Sequence, residues 1–123
     1  MIEIEGFREI VEELLEEIPT ELFEELNGGV RVLPECEINL HALNDDLITL
    51  GEYHHSAVMG SHVVIYYGSF MRLFENLSRE ELKEQARKTL RHEFMHHLER
   101  RGGLEDLEIE DQHFLMQYLT KKK

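Results

Sequence analysis

His92-Glu93-Phe94-Met95-His96 sets two imidazoles four residues apart with a carboxylate beside the first. On a helix that spacing is about one turn, so both rings leave the same face. Their neutral nitrogens can then share a Zn²⁺ ion, while the adjacent Glu can take a proton from a water on that ion. The chemistry on offer is metal-assisted hydrolysis, with His92 and His96 as ligands and Glu93 as general base. In a chain with 8 His and 26 acidic residues the pentapeptide alone is a common pattern, so its surroundings have to carry the reading.

The surroundings predict a helix. Ser78 followed by Glu81 makes a capping box, and no Gly or Pro interrupts the strong helix formers from there to about Arg100. At 100° per residue Leu82, Ala86, Leu90, Phe94 and Leu98 form one apolar stripe, with His92 and His96 on its flank and Glu93 inside its margin. A carboxylate facing a core needs a partner, and a water on a metal would supply one. The plain alternative pairs Glu93 with a Lys or Arg and leaves both His as ordinary half-exposed helix residues. Gly102-Gly103 closes the helix, and a last helix is expected from about Glu105 to Leu119.

A catalytic zinc usually keeps three protein ligands and an open position, so a third residue is needed. If the last two helices form a hairpin about Gly102-Gly103, Asp111 falls level with the turn between His92 and His96 and faces inward, which makes it the expected third ligand. Its other possible roles are pairing with a core-facing His, capping a helix end, or orienting a zinc-bound imidazole. Asp106 is the rival, nearer the turn but also a candidate N-cap of the last helix. Glu99 and Glu110 point less well. His97 falls on the apolar stripe and reads as a satisfied core histidine, and His113 reads as a surface residue. His54, His55 and His62 lie on or near predicted strands and are weaker candidates for a second metal site. Tyr66 or Tyr67 could donate to an oxyanion, since alternation turns only one of them inward. Cys36, flanked by Glu35 and Glu37, is a poor nucleophile because neighbouring negative charge raises a thiol pKa.

The elements that must hold these residues are short. Phe7, Ile10, Val11, Leu14, Leu15 and Ile18 repeat at helical spacing over about residues 5–18, with the Glu-rich positions as a solvated face, and Pro19 ends the run. Thr20 can cap a shorter helix carrying Leu22, Phe23 and Leu26, ending at Asn27-Gly28-Gly29. Val30 to Leu33 reads as a strand and Pro34 through Asp46 as a loop. Leu47 to Tyr53 and His62 to Tyr67 read as further strands, forming a hairpin or the rim of a small sheet. Gly68 breaks the second, and Ser69 can cap a short helix through Phe74.

At 123 residues the expectation is one domain, residues 1–123. No apolar run approaches the ~18 residues of a membrane span. An acidic amphipathic start is neither signal nor transit peptide, and a lone cysteine suits a reducing compartment, so the expected location is cytoplasmic. A formal charge of −13 with scattered cations argues against nucleic acid. The expected partner is a peptide or protein substrate.

Together these segments make the chain resemble the small bacterial zincin-like metallopeptidases, the minimal metalloproteases. The matching residues are Leu50-Gly51-Glu52-Tyr53, His62-Val63-Val64-Ile65-Tyr66-Tyr67, His92-Glu93-Phe94-Met95-His96-His97 and Asp106-Leu107-Glu108-Ile109-Glu110-Asp111. The resemblance implies a compact α+β fold in which a short sheet packs on the metal helix, with N- and C-terminal helices around it and an edge strand able to hold an extended peptide. It also implies a zinc peptidase. Family members commonly place a Gly soon after a doubled His and then an acidic ligand. Here Glu99 stands where that Gly is expected and the glycines come at 102 and 103, which leaves the third ligand between Asp106 and Asp111. A second class of function uses the same scaffold as a non-catalytic zinc-binding or protein-interaction module, whose signature would be a closed shell of four ligands.

Overall fold

The structure is a computed structural model that describes residues 1–38, 47–103 and 109–120, with the side chains of 103–114 excluded. Among the described residues the chain runs through helix α1 (Ile4–Glu17), a 3₁₀ turn (Thr20–Phe23), strands β1 (Val30–Leu33), β2 (Glu37–Ile38), β3 (Ile48–Thr49), β4 (Gly51–Ser56) and β5 (Gly60–Tyr66), then helices α2 (Tyr67–Phe74), α3 (Arg79–Gly103) and α4 (Ile109–Thr120). This is the α+β class expected, with a small mixed sheet ordered β1-β5-β4 and a separate β2-β3 ladder. β5 is central, parallel to β1 and antiparallel to β4. Its near-continuous Val63, Val64, Ile65, Tyr66 run is what a strand covered on both faces requires.

The core lies between the sheet and helices α1 and α3. Phe7, Ile10, Val11 and Leu14 of α1 meet Leu82, Ala86, Leu90, Phe94 and Leu98 of α3, and every residue of that α3 stripe is buried as its spacing requires. Leu115 and Leu119 of α4 close the same core, and Tyr118 sits beside Arg91, so α4 runs back along α3. The start of α3 is fixed by reciprocal bonds: Ser78 N–H donates to Glu81 Oε1 at 3.0 Å, and Glu81 N–H donates to Ser78 Oγ at 3.2 Å. Not all of the α1 glutamates are merely solvated. Glu13 pairs with Arg79 and Lys83, and Glu17 with Arg87, which clamps the two helices along their outer edge.

Several local expectations are corrected. The short helix expected from Thr20 through Leu26 is a 3₁₀ turn over Thr20–Phe23, and the loop expected from Pro34 through Asp46 contains strand β2. The strand expected from Leu47 to Tyr53 is divided at Leu50, so Ile48–Thr49 pairs with β2 while Gly51–Ser56 pairs with β5. Gly68 does not separate a strand from a helix, because α2 begins directly after β5 at Tyr67. A Cβ on Gly68 would lie 2.6 Å from backbone atoms of Pro34, Glu35 and Cys36, so the glycine allows two chain segments to touch. Ser69 caps nothing. It is fully buried, and its Oγ accepts the Glu37 N–H at 2.8 Å, tying α2 to β2. No helix of the described residues is long and apolar enough to cross a membrane.

Candidate metal centre

The apolar stripe of α3 sets the helix rotation, and that rotation decides what its flank presents. His92 and His96 stand exposed at the margin while Glu93, between them, turns inward and is only 6% exposed. The two Nε2 atoms lie 3.1 Å apart and the ring planes cross at 88°. Two nitrogens held tetrahedrally at the zinc–nitrogen distance of about 2.0–2.1 Å lie roughly 3.3 Å apart. The observed separation is within a few tenths of an ångström of that distance, and imidazole is a donor that suits this ion.

Glu93 sits at the floor of a cleft between α3 and the edge strand β4. One half of the cleft is lined by Ile48, Thr49, Leu50, Gln85, Lys88 and Thr89, the other by Glu52, Tyr53 and His96, and Gly51, His92 and Glu93 belong to both. Burial pushes the Glu93 carboxyl above its ordinary range. The imidazoles of His92 and His96 draw it back, and the charge of Glu52 adds to the upward push. No Lys or Arg pairs with Glu93 among the described residues, so the pairing half of the plain alternative is not met there.

Strand and helix are held together beneath this cleft by polar contacts. His97 is fully buried. Its Nε2 lies 2.7 Å from the Glu24 carbonyl, which can only accept, so Nε2 carries the proton and Nδ1 must accept in turn from the Tyr53 hydroxyl at 2.7 Å. Tyr53 has one hydroxyl proton, so in its 2.7 Å contact with Ser61 the serine hydroxyl donates. Ser61 Oγ lies 2.8 Å from His55 Nδ1, and Arg100 donates to His55 Nε2 at 2.6 Å. One consistently directed chain thus joins α3, β4, β5 and the segment after the 3₁₀ turn. Arg101, also buried, adds bonds to the Glu21 carbonyl at 3.0 Å and to Glu24 Oε2 at 3.1 Å.

The other residues singled out from sequence fall as follows. The core reading of His97 holds. Asp111 lies on α4, seven residues before Tyr118, at a level that the Tyr118–Arg91 contact brings toward the His96 end of α3. Its side chain, and those of Asp106, Glu110 and His113, lie outside the described residues. Among the described residues no set of three His, Cys, Asp or Glu is gathered about one point. Glu99 is exposed, 3.9 Å from His96 Nδ1 on the side of the ring away from His92. His54 and His62 stack on each other across β4 and β5 with centroids 5.0 Å apart, and His55 belongs to the bonded chain above. Neither Tyr66 nor Tyr67 offers its hydroxyl to the cleft: Tyr66 donates to Glu52 Oε1 at 2.7 Å and Tyr67 to the Ile2 carbonyl.

Glu52 and Tyr53 are cleft residues that residue-by-residue reasoning left without a role. The alternation of β4 sends the two side chains to opposite faces, and only the closeness of the strand to α3 brings both to the same cleft.

Residues 34–114, which contain β4, β5 and the whole of α3, match the zincin-like metallopeptidase family, and the chain belongs to it. A conserved hypothetical protein of known structure from Thermo thermophilus is 33% identical to this chain, with a TM-score of 0.68 over 82% of this chain and 98% of that one. No curated protein matches the chain. The family membership brings a metallopeptidase-type scaffold and, in general terms, zinc.

Proposed function

We propose that the chain is a zinc-dependent peptidase, with His92, His96 and Asp111 holding the metal and Glu93 moving the proton. The observation that carries this reading is the convergence of the His92 and His96 Nε2 atoms at 3.1 Å beside a buried carboxylate at the floor of an open cleft. When bound, zinc supplies a Lewis acid that makes water acidic near neutral pH and draws electrons from a carbonyl. Glu93 takes one proton from the attacking water as the new C–O bond forms, and returns it to the amide nitrogen as the C–N bond breaks. Burial suits this double role, because it brings the acid's proton affinity toward neutrality. The edge of β4 beside Glu93, which no strand of the described residues pairs with, offers backbone groups to an extended peptide, the mode in which a strand adds to a sheet.

The first test is metal content by mass spectrometry on untagged protein for wild type, His96→Ala and Asp111→Ala. About one zinc per chain in wild type, lost in both variants, is expected. Glu93→Gln should keep the metal and abolish peptide cleavage. Zinc bound by a wild type that cleaves no peptide would favour the non-catalytic module. No zinc after reconstitution would remove the reading altogether.

A further inference from the structure

The two halves of the cleft differ in charge. The half lined by Ile48, Thr49, Leu50, Gln85 and Thr89 has Lys88 as its charged group, exposed and in no ion pair among the described residues. The half beyond Gly51 has Glu52 of the edge strand among its lining residues, with His92, Glu93 and His96. Glu52 is held in place: the buried Tyr66 hydroxyl donates to its Oε1 at 2.7 Å. A phenol fixes the carboxylate without neutralising it. The other oxygen, Oε2, is 3.6 Å from His54 Nε2, beyond a good hydrogen bond, and the side chain is 35% exposed. No Lys or Arg of the described residues pairs with it, and its charge is felt at Glu93. An ionised carboxylate has about four acceptor positions, so a fixed, partly exposed anion with unused lone pairs lines the cleft near the proposed reacting atoms.

A preorganised anion of this kind recognises a cation, since binding one requires little further ordering of the protein. We propose that Glu52 is a subsite for a positively charged group of the peptide substrate, either a Lys or Arg side chain or a free α-amine, held within a residue or two of the scissile bond. Lys88 makes the preference directional, repelling the same cation from the opposite half. This inference rests on the peptidase reading for the identity of the substrate, but the charge asymmetry of the cleft is independent of whether the chain cleaves anything.

The test uses three small hydroxamates that chelate zinc through the same group: Nα-acetyl-lysine hydroxamate with a side-chain cation, norleucine hydroxamate with a free α-amine, and the neutral Nα-acetyl-norleucine hydroxamate. Their affinities for zinc-loaded wild type and Glu52→Gln are read by calorimetry at low salt, where screening is weak. At least one charged ligand should bind wild type about five-fold or more tightly than the neutral one, the scale of a partly exposed ion pair. Which charged ligand gains tells a side-chain cation from an α-amine. In Glu52→Gln the advantage should fall below about two-fold. Equal binding of charged and neutral ligands by wild type, an advantage unchanged in Glu52→Gln, or no binding of any ligand would overturn the proposal. Charge-selective binding with no cleavage of a mixed peptide library would keep the subsite and reject the peptidase reading.

Discussion

Gly51 lies where the edge strand β4 packs closely on helix α3, and Gly51→Ala should push the two apart. A Cβ there would lie 2.9 Å from Thr89 Cγ2, 3.0 Å from Ile65 Cδ1 and 3.1 Å from the Val64 carbonyl oxygen. Ordinary carbon contacts sit near 3.5–4.0 Å, so the two carbon overlaps are about 0.5–1 Å, and the oxygen contact must give by a few tenths of an ångström. The two methyl ends can give way. The Val64 oxygen belongs to the backbone of the neighbouring strand, so β4 must shift outward. Overpacking of this size costs about 1–3 kcal/mol, and replacing a strand glycine by alanine returns about 0.5–1 kcal/mol of that. The net expectation is a loss of about 1–2 kcal/mol. With a urea slope of about 1.5 kcal/mol per molar, the unfolding midpoint should drop by roughly 1 M. Thr89→Ser supplies the internal control, because it removes Cγ2 while keeping the hydroxyl that bonds the Gln85 carbonyl at 3.1 Å. Alone it should cost under about 1 kcal/mol, the worth of one methyl group. Combined with Gly51→Ala it should recover about 0.5 kcal/mol relative to additivity. A Gly51→Ala midpoint equal to or above wild type, or strict additivity in the double variant, would refute the close approach as the reason for the glycine.

The bonded chain under the cleft gives a second expectation. Tyr53→Phe removes the bonds to the buried His97 and to Ser61 and should cost about 1–2 kcal/mol, while His97→Leu, which also frees the Glu24 carbonyl, should cost about 2–3 kcal/mol. Thermal melts should show the two losses to be non-additive by about 1 kcal/mol, and full additivity would mean that the 2.7 Å contact contributes nothing. The third concerns acid. Arg79 and then Lys83 hold the Glu13 carboxyl down to about 2 from an ordinary 4.5. A carboxyl lowered in the folded state stabilises above its unfolded value and loses that contribution as pH falls through its folded value. Glu13→Gln should therefore flatten part of the stability loss between about pH 4.5 and 2, measured by denaturant titration across that range. Superimposable slopes for the two proteins would mean that the pair is screened to nothing.

The helices were largely legible because their signals are local. The stripe from Leu82 to Leu98, the Ser78–Glu81 box and the flank positions of His92 and His96 all follow from the 3.6-residue period, and the structure has each of them as expected. The apolar position of His97 was legible for the same reason, although its partners were not. The short strands were harder. Leu47 to Tyr53 reads as one strand, yet it serves two different sheets, because pairing is decided by which neighbours arrive rather than by the segment's own residues. Ser69 looked like a helix cap because it is a small polar residue near a helix start. Its hydroxyl was claimed instead by a backbone N–H thirty-two residues away.

By itself the sequence determined the chemistry that could be done: two imidazoles and a carboxylate on one helix, at a spacing that fixes their relative directions within one turn of backbone. Helical geometry is set by bonds between residues four apart, so nothing distant was needed to read it. Tertiary structure alone decided what faces that triad. Gly51 lets β4 approach α3, Tyr66 fixes Glu52, and His97 reaches Tyr53 and Glu24, each across 14 to 73 residues of chain or a contact between elements. Such contacts depend on the packing of whole elements, and a linear pattern of residues carries no measure of that distance.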